Sequence, residues 1–341
     1  MPEPLVSIVT PTFRHEQFIE HCLRSVLAQS YRAWELIVID DASPDNTAGI
    51  VQKFAARDPR IKLVQHQANY GAARLCETYN EGLSLCRGEL IAVLEGDDEW
   101  VPTKLARQVP VFADRTVALC YADYDEITAE EFLIIRHGLA DAAGVARSGL
   151  KENLRFFSAL KSFGANTVMI RRSDLLSIGG FVDGSLPLVD YPTWLKLATK
   201  GDFVRIPFVL GKWRRHPDSV YWASEYSTVE RLRQHFLEYL HAEHANLLSR
   251  GVSSLELDAL ALNPARALEE RYRSRPYFEG KYRLVMGQRG RAILPFGRAI
   301  LSRGTTPRHR LGAVAGILAA MTSPRLVLSL SRMLQRTRSG Q

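Results

Sequence analysis

Along the first 125 residues, short apolar runs alternate with segments whose apolar positions recur every three or four residues. The runs at 5–9, 35–39, 61–64, 89–94 and 117–121 are rich in Val, Ile and Leu, the pattern of strands covered on both faces. Between the first two, Phe18, Ile19, Cys22, Leu23, Val26 and Leu27 fall at helical spacing. Ile50, Val51 and Phe54 follow Ser43-Pro44-Asp45-Asn46, a helix-start cluster. Strands separated by one helix each require right-handed crossovers, so the pattern predicts an α/β fold around a mostly parallel sheet. Ligands of such sheets bind beyond the carboxyl ends of the strands, which directs attention to the residues just after each run.

The stretch 126–222 is less regular, with a strand expected at 167–170 and a helix at 192–199. Val229, Leu232, Phe236, Leu237, Leu240, Leu247 and Leu248 then mark one face of a helix over 225–250, and a second helical piece is expected over 254–272. No internal repeat or low-complexity segment interrupts the chain. The expected organisation is a catalytic-type α/β unit over 1–222, a helical extension over 223–280 and a tail over 281–341.

With 46% hydrophobic and 24% charged residues in 341, the composition excludes disordered, collagen-like and disulfide-scaffold classes. Cys22, Cys76, Cys86 and Cys120 stand singly, which argues against a zinc ribbon and fits a reducing compartment. The first residues carry no basic n-region, so no signal peptide is expected. No apolar run reaches 18 residues, and a soluble or peripheral protein is expected. The net charge of +7 is unevenly placed. Residues 281–341 hold 12 Lys and Arg and no acid, whereas the first 280 hold 32 basic against 37 acidic residues. A like-charged block reads either as a solvated tail or, because the basic residues alternate with apolar clusters (Ala292-Ile293-Leu294-Pro295-Phe296, 311–321 and Leu326-Val327-Leu328), as a contact with an anionic membrane surface. Nucleic acid is not expected as a partner, since no motif for it accompanies the charge.

The strand ends carry the candidate chemistry. Thr10-Pro11-Thr12-Phe13 follows the first run, Asp40-Asp41-Ala42-Ser43-Pro44-Asp45 the second, and Glu95-Gly96-Asp97-Asp98-Glu99-Trp100 the fourth. Adjacent carboxylates need a cation or proton to neutralise them, so Asp97-Asp98 reads as a site for Mg²⁺ or Mn²⁺, or else as an acidic turn. The loop TPTFRHEQF lacks glycine. That argues against a nucleotidyltransferase phosphate loop and against the GxGxxG of a dinucleotide-dependent oxidoreductase.

VSIVTPTF, SVLAQSYRAWELIVIDDASPDNT and GELIAVLEGDDEW, in this order and spacing, resemble the family 2 glycosyltransferases of the GT-A fold, over roughly residues 5–220. The resemblance implies a Rossmann-like nucleotide-diphospho-sugar transferase fold, with a donor half over 1–125 and an acceptor half over 126–222. It implies that Pro11, Thr12 and Phe13 pack around the nucleotide base, that Asp41 accepts a hydrogen bond from it, and that Arg74 reaches the diphosphate. Glu95 stands where the family more commonly has Asp, and with Asp97 it is expected at the nucleotide sugar; Asp97 and Asp98 match the positions that bind the ribose and the diphosphate-bound metal, either of the two being the direct metal ligand. Leu188-Val189-Asp190-Tyr191-Pro192 resembles the segment with the catalytic base, Asp190, although Val189 replaces the usual Glu. Pro192 also suits a helix start, so Asp190 reads as an N-cap too. Trp213-Arg214-Arg215-His216 resembles a Tyr-Arg-x-His segment closing over the diphosphate, with Arg214 on phosphate and His216 on metal or phosphate. The implied activity is inverting, metal-dependent transfer from a nucleotide-diphosphate sugar, with uridine the usual base, to a glycan or lipid-linked glycan at the cytoplasmic membrane face. The departures at Glu95 and Val189 leave one alternative, a nucleotide-sugar-binding or assembly protein that keeps the fold without the activity.

Overall fold

The computed structural model describes residues 3–321 except 130, 132, 138–144, 184–188, 217–218, 286–287, 303–304 and 306. Leu188, Pro217, Asp218, the cluster Leu326-Val327-Leu328 and the last twenty residues of the basic tail therefore lie outside the described residues.

The strands are β1 (Val6–Thr12), β2 (Trp34–Asp40), β3 (Ile61–Gln65), β4 (Leu90–Val93), β5 (Glu99–Trp100), β6 (Val117–Thr128), β7 (Leu133–His137), β8 (Ala146–Ser148), β9 (Met169–Arg171) and β10 (Asp202–Arg215). They form one sheet in the order β3-β2-β1-β4-β9-β6-β10-β5, with β7 on β6 and β8 on β10. β3, β2, β1 and β4 pair in parallel, and β6 pairs in parallel with β10. β9 lies antiparallel between β4 and β6, so six of the ten strands run one way and the sheet is mostly parallel, as expected.

Every residue of β1, β2 and β4 is buried, which explains their unbroken Val/Ile runs. Alternate side chains supply two cores. Val6, Ile8, Leu36 and Val38 pack on one face with the helix Ile19–Leu27. Val9, Ile37 and Ile39 pack on the other with the helices Leu75–Leu85, Leu150–Ser158 and Asp190–Leu197.

The middle of the chain departs from expectation for local reasons. The strand expected at 167–170 is the short antiparallel β9, which starts two residues later, at Met169, after a single turn over Ala165–Thr167. The 14-residue β10 escapes periodicity because it contains Pro207 and Gly211 and shifts register twice between Ile206 and Gly211. Further on, the helix Val220–Ala242 is followed by a short helix, His244–Ser249, and by Ser254–Val285, which continues through Pro264 and Pro276. The expected divisions at 222 and 280 fall inside helices. In the basic segment, the helices Arg289–Leu301 and Pro307–Met321 close a small core of Ala292, Phe296, Ala299 and Ala313 against Tyr277 and Leu284.

Candidate active site

Strand register brings the three polar clusters to one edge. Thr12 lies opposite Asp40 at the ends of β1 and β2, and the Asp41 N–H donates to the Thr12 carbonyl at 2.9 Å. Beyond β4 the chain keeps following β1: the Leu94 N–H bonds to the Val9 carbonyl and the Gly96 N–H to the Pro11 carbonyl, both at 3.1 Å. Gly96 is required by this approach, since a Cβ there would sit 2.4 Å from Thr12 Oγ1 and 2.9 Å from His15 Nδ1.

The two carboxylates of the acid loop point to different tasks. Asp98 is 2% exposed and accepts the Arg214 N–H of β10 at 2.8 Å. Burial, with Asp97 and Glu95 beside it, pushes the Asp98 carboxyl well above its ordinary range. Asp97 faces the edge instead, with Oδ2 3.0 Å from His216 Nε2 and 4.0 Å from His15 Nε2. Burial opposes its charge, but His15 and His216 outweigh that and hold the carboxyl at about 2. Glu95 accepts a 2.6 Å hydrogen bond from Tyr79 Oη; burial pushes its carboxyl up to about 7, with the charges of Asp97 and Asp190 adding to the rise. That electrostatic reach puts Asp190 in the same neighbourhood.

Asp190 is the first residue of its helix, one past the cap residue Val189, and no side-chain bond caps that end. Ser162 Oγ donates to Asp190 Oδ2 at 3.2 Å, and burial pushes the Asp190 carboxyl up. A half-buried carboxylate of raised basicity, held by one hydroxyl, is suited to taking a proton from a substrate hydroxyl.

Pro11 and Thr12 are buried at the end of β1, and Phe13 is exposed at the edge. Arg74 is exposed on its turn, pairs with Glu77 at 2.7 and 2.5 Å and stacks 3.7 Å over the Tyr70 ring. Two expected nucleotide contacts are placed otherwise. Asp41 takes hydrogen bonds on Oδ1 from His66 Nδ1 and the Tyr70 N–H (2.7 Å each), and on Oδ2 from the Gly71 N–H (2.8 Å) and Asn69 Nδ2 (3.1 Å). These fill the lone-pair positions a carboxylate offers, so Asp41 shapes the 66–71 loop rather than presenting a free acceptor to a base. Arg214 is 1% exposed; its Nε donates to the Asp97 carbonyl at 2.9 Å, its Nη1 to the Ala129 carbonyl at 3.0 Å, and its Nη2 to Glu99. It braces the acid loop from beneath.

Among the described residues, two groups have the spacing to hold a cation. In His21, Glu99 and Glu131, Glu99 is already neutralised by Arg214 and Lys212. In His15, Asp97 and His216 the ligand atoms lie within 4.8 Å of one another, and the carboxylate meets imidazoles rather than a fixed cation. One carboxylate and two imidazoles fit a divalent ion. Of the residues expected on metal, Asp97 and His216 are together, whereas the Asp98 carboxylate is turned to β10. His15 was not singled out by sequence; its position three residues after Thr12, in the first strand-end loop, was the available signal.

The model of the Glycosyl transferase family 2 family matches residues 7–177. TuaG of Bacillus subtilis, named as a teichuronic acid biosynthesis glycosyltransferase, is 32% identical over 205 residues, covering 58% of this chain and 74% of its own. The Escherichia coli protein WfgD, a UDP-Glc:alpha-D-GlcNAc-diphosphoundecaprenol beta-1,3-glucosyltransferase, is 30% identical over 227 residues, covering 64% and 81%. Among solved structures, S. aureus TarS 1–349 superposes with a TM-score of 0.60 at 16% identity, covering 94% of this chain and 91% of that one, while the longer TarS chain is covered over 54%. The Pyrobaculum calidifontis mannosyltransferase PcManGT, solved with GDP-Man and Mn²⁺, gives 0.55 at 21% identity and covers 94% and 86%. These likenesses establish the GT-A fold.

Proposed function

The chain belongs to glycosyl transferase family 2, and on that footing we propose that it moves a sugar from a UDP-linked donor to a hydroxyl of a lipid-linked glycan, with inversion, in surface-polysaccharide biosynthesis. The observation that carries the reading is the pairing of Asp97 with His216 at the carboxyl edge of the sheet, with Glu95 within electrostatic reach of a half-buried Asp190 of raised basicity. Asp190 accepts the proton of the acceptor hydroxyl as its oxygen bonds to the anomeric carbon. The bond from that carbon to the diphosphate breaks on the opposite side, and its electrons leave with the nucleoside diphosphate. Ser162 orients the Asp190 carboxylate. Glu95, held by Tyr79, lies on the donor side of the loop. Pro11, Thr12 and Phe13 line the base, Asp41 shapes that wall through the 66–71 loop, and exposed Arg74 turns from Glu77 towards the diphosphate. Asp97 and His216 hold a divalent ion, Mn²⁺ or Mg²⁺, which when bound neutralises charge developing on the leaving diphosphate. Arg214 and Asp98 keep that loop in place.

UDP is favoured by the donor in the name of WfgD and by the UDP-GlcNAc complex of TarS, and the diphosphoundecaprenol in the former points to a lipid-linked acceptor. The C-terminal helices suit such an acceptor. Leu311, Val314, Leu318 and Met321 are exposed at 69%, 45%, 48% and 72% on one face of Pro307–Met321, in a region of the chain with no acidic residue. An apolar face among basic residues binds an anionic membrane surface, which would hold the enzyme at the cytoplasmic face. No helix of the described residues is long and apolar enough to cross a membrane. The proposal keeps a donor half (1–125), an acceptor half (126–222), a helical extension (223–280) and a basic, apolar-studded tail (281–341), the boundaries at 222 and 280 falling within continuous helices.

The test is a melting-temperature panel of UDP, GDP, dTDP and CMP with and without Mn²⁺, alongside transfer assays of wild type and Asp190→Asn. A metal-dependent rise with UDP in both proteins, and transfer only by wild type, is expected. No rise with any nucleotide would overturn the reading.

A further inference from the structure

Beyond Asp97 and His216, we propose that His15 is a third protein ligand of the divalent ion, and that the resulting set of two imidazoles and one carboxylate makes the site selective for Mn²⁺ and other first-row transition ions over Mg²⁺. The proposal deepens the metal reading above and rests on it.

Three features of the structure carry it. First, Nε2 of His15, Nε2 of His216 and Oδ2 of Asp97 converge, with separations of 3.0 Å (His216 to Asp97) and 4.0 Å (His15 to Asp97) and all within 4.8 Å. Second, His15 is held in position by its neighbours. Its N–H donates to Thr47 Oγ1 at 2.9 Å, and its Nδ1 lies 3.1 Å from Thr12 Oγ1. When Nδ1 carries the proton and donates to that hydroxyl, Nε2 is left with its lone pair facing Asp97, the arrangement in which a second hydrogen bond orients a metal-binding imidazole. Phe18 packs beside both rings, with centroids 6.4 Å from His15 and 4.8 Å from His216, and the two imidazoles meet edge to face at 5.9 Å. Third, Gly96 leaves the room: any side chain there would strike Thr12 and His15.

The selectivity follows from donor chemistry. Mg²⁺ prefers oxygen ligands and sheds its water reluctantly, whereas imidazole nitrogen raises affinity along the first-row series, in which Mn²⁺ is the weakest binder. Three protein ligands on one side leave the remaining positions open to diphosphate oxygens and water.

The experiment measures Mn²⁺ binding to the full chain by electron paramagnetic resonance, with Mg²⁺ as competitor, and counts coordinated nitrogens by electron spin-echo envelope modulation. Wild type is expected to bind Mn²⁺ with modulation from two imidazoles and to resist displacement by Mg²⁺. In His15→Gln one nitrogen is lost and Mn²⁺ affinity falls about 10–100-fold, the scale seen even for loss of supporting groups around a metal, with Mg²⁺ affinity changing much less. His15→Asp restores a ligand but as hard oxygen, and moves the preference towards Mg²⁺; thermal melts of both variants establish that they fold. Two-nitrogen modulation surviving in folded His15→Gln overturns the assignment, as does a wild type that binds Mn²⁺ through one nitrogen or not at all. Sugar transfer by a wild type whose Mn²⁺ shows one-nitrogen modulation or none would leave the glycosyltransferase reading standing while this proposal fell. Two-nitrogen Mn²⁺ binding in a chain that transfers no sugar would do the reverse.

Discussion

The carboxyl edge of the sheet and the C-terminal helices treat polarity in opposite ways. At the edge, Asp97, Asp98, Glu99, Arg214 and His216 are all at most 9% exposed, and each is met by a partner. In the helix Pro307–Met321, Ala313 is buried against Phe296 while Leu311, Val314, Leu318 and Met321 stand in solvent. Buried charge is costly unless paired, so the first region is held in one geometry by its own partners. An exposed apolar stripe costs little and acts only when something covers it. On the proposed function, the edge would carry chemistry on a fixed substrate and the helices would meet a surface that conforms to them.

The largest effect that can break this contrast lies at the edge. Asp190→Asn is expected to lower transfer about 10²–10⁴-fold, the usual contribution of a positioned base, with the melting shift induced by UDP retained. Wild-type turnover in this variant would remove Asp190 from the chemistry.

Next comes the division of labour within the acid loop. Asp98→Ala leaves the buried Arg214 N–H without its acceptor and should cost about 1–3 kcal/mol in denaturant melts. Asp97→Ala should melt close to wild type yet lose its metal-dependent response to UDP. Equal stability losses in the two variants would erase the distinction drawn between them.

On the helices, Leu311→Glu with Val314→Glu and Leu318→Glu replaces the exposed stripe by charge. Binding to anionic vesicles should fall at least about tenfold, since each side chain removed takes on the order of 1 kcal/mol of apolar burial with it, and the melting temperature should hardly move. Cosedimentation that is unaltered would show that the stripe faces something other than lipid.

Smaller again is the tuning of the base. The Ser162 hydroxyl favours the charged form of Asp190, so Ser162→Ala raises a carboxyl pKa that burial has already raised. As the proposed base, Asp190 would work ionised. The acid limb of the kcat/KM profile should therefore move to higher pH, by up to about one unit; a fixed limb would separate Ser162 from the base.

A change away from both regions concerns Lys104, fully buried beside Trp100 and bonded to Gln108 Oε1 at 2.6 Å. Burial lowers its pKa from 10.5 to about 7. The unfolded chain then binds the proton at higher pH than the folded one. Stability contributed by this group accordingly declines as pH falls from 10.5 towards 7, and is level below that. Lys104→Met should remove that slope and raise the melting point at pH 7, the gain offset in part by the partner that Gln108 loses. A steeper slope in the variant would contradict the account.

How much of this was legible beforehand differs by residue. β1, β2 and β4 were readable because burial on both faces demands continuous apolar runs, a property of four to seven neighbouring positions. Their shared edge, and with it Pro11, Asp41, Glu95 and Asp97 as neighbours, followed from the strand–helix alternation. β10 was not readable, since Pro207, Gly211 and three basic residues between 212 and 215 mask a strand whose polar groups are met by β5, β6, β8 and the acid loop. For the same reason adjacent, chemically identical carboxylates could not be told apart in the sequence. Asp98 is taken by a backbone N–H 116 positions away and Asp97 by an imidazole 119 positions away, and His15 joins them from a loop 82 residues earlier. Local sequence sets which backbone conformations are cheap; which side chains meet depends on strand register across the sheet, and that is decided by packing over the whole chain.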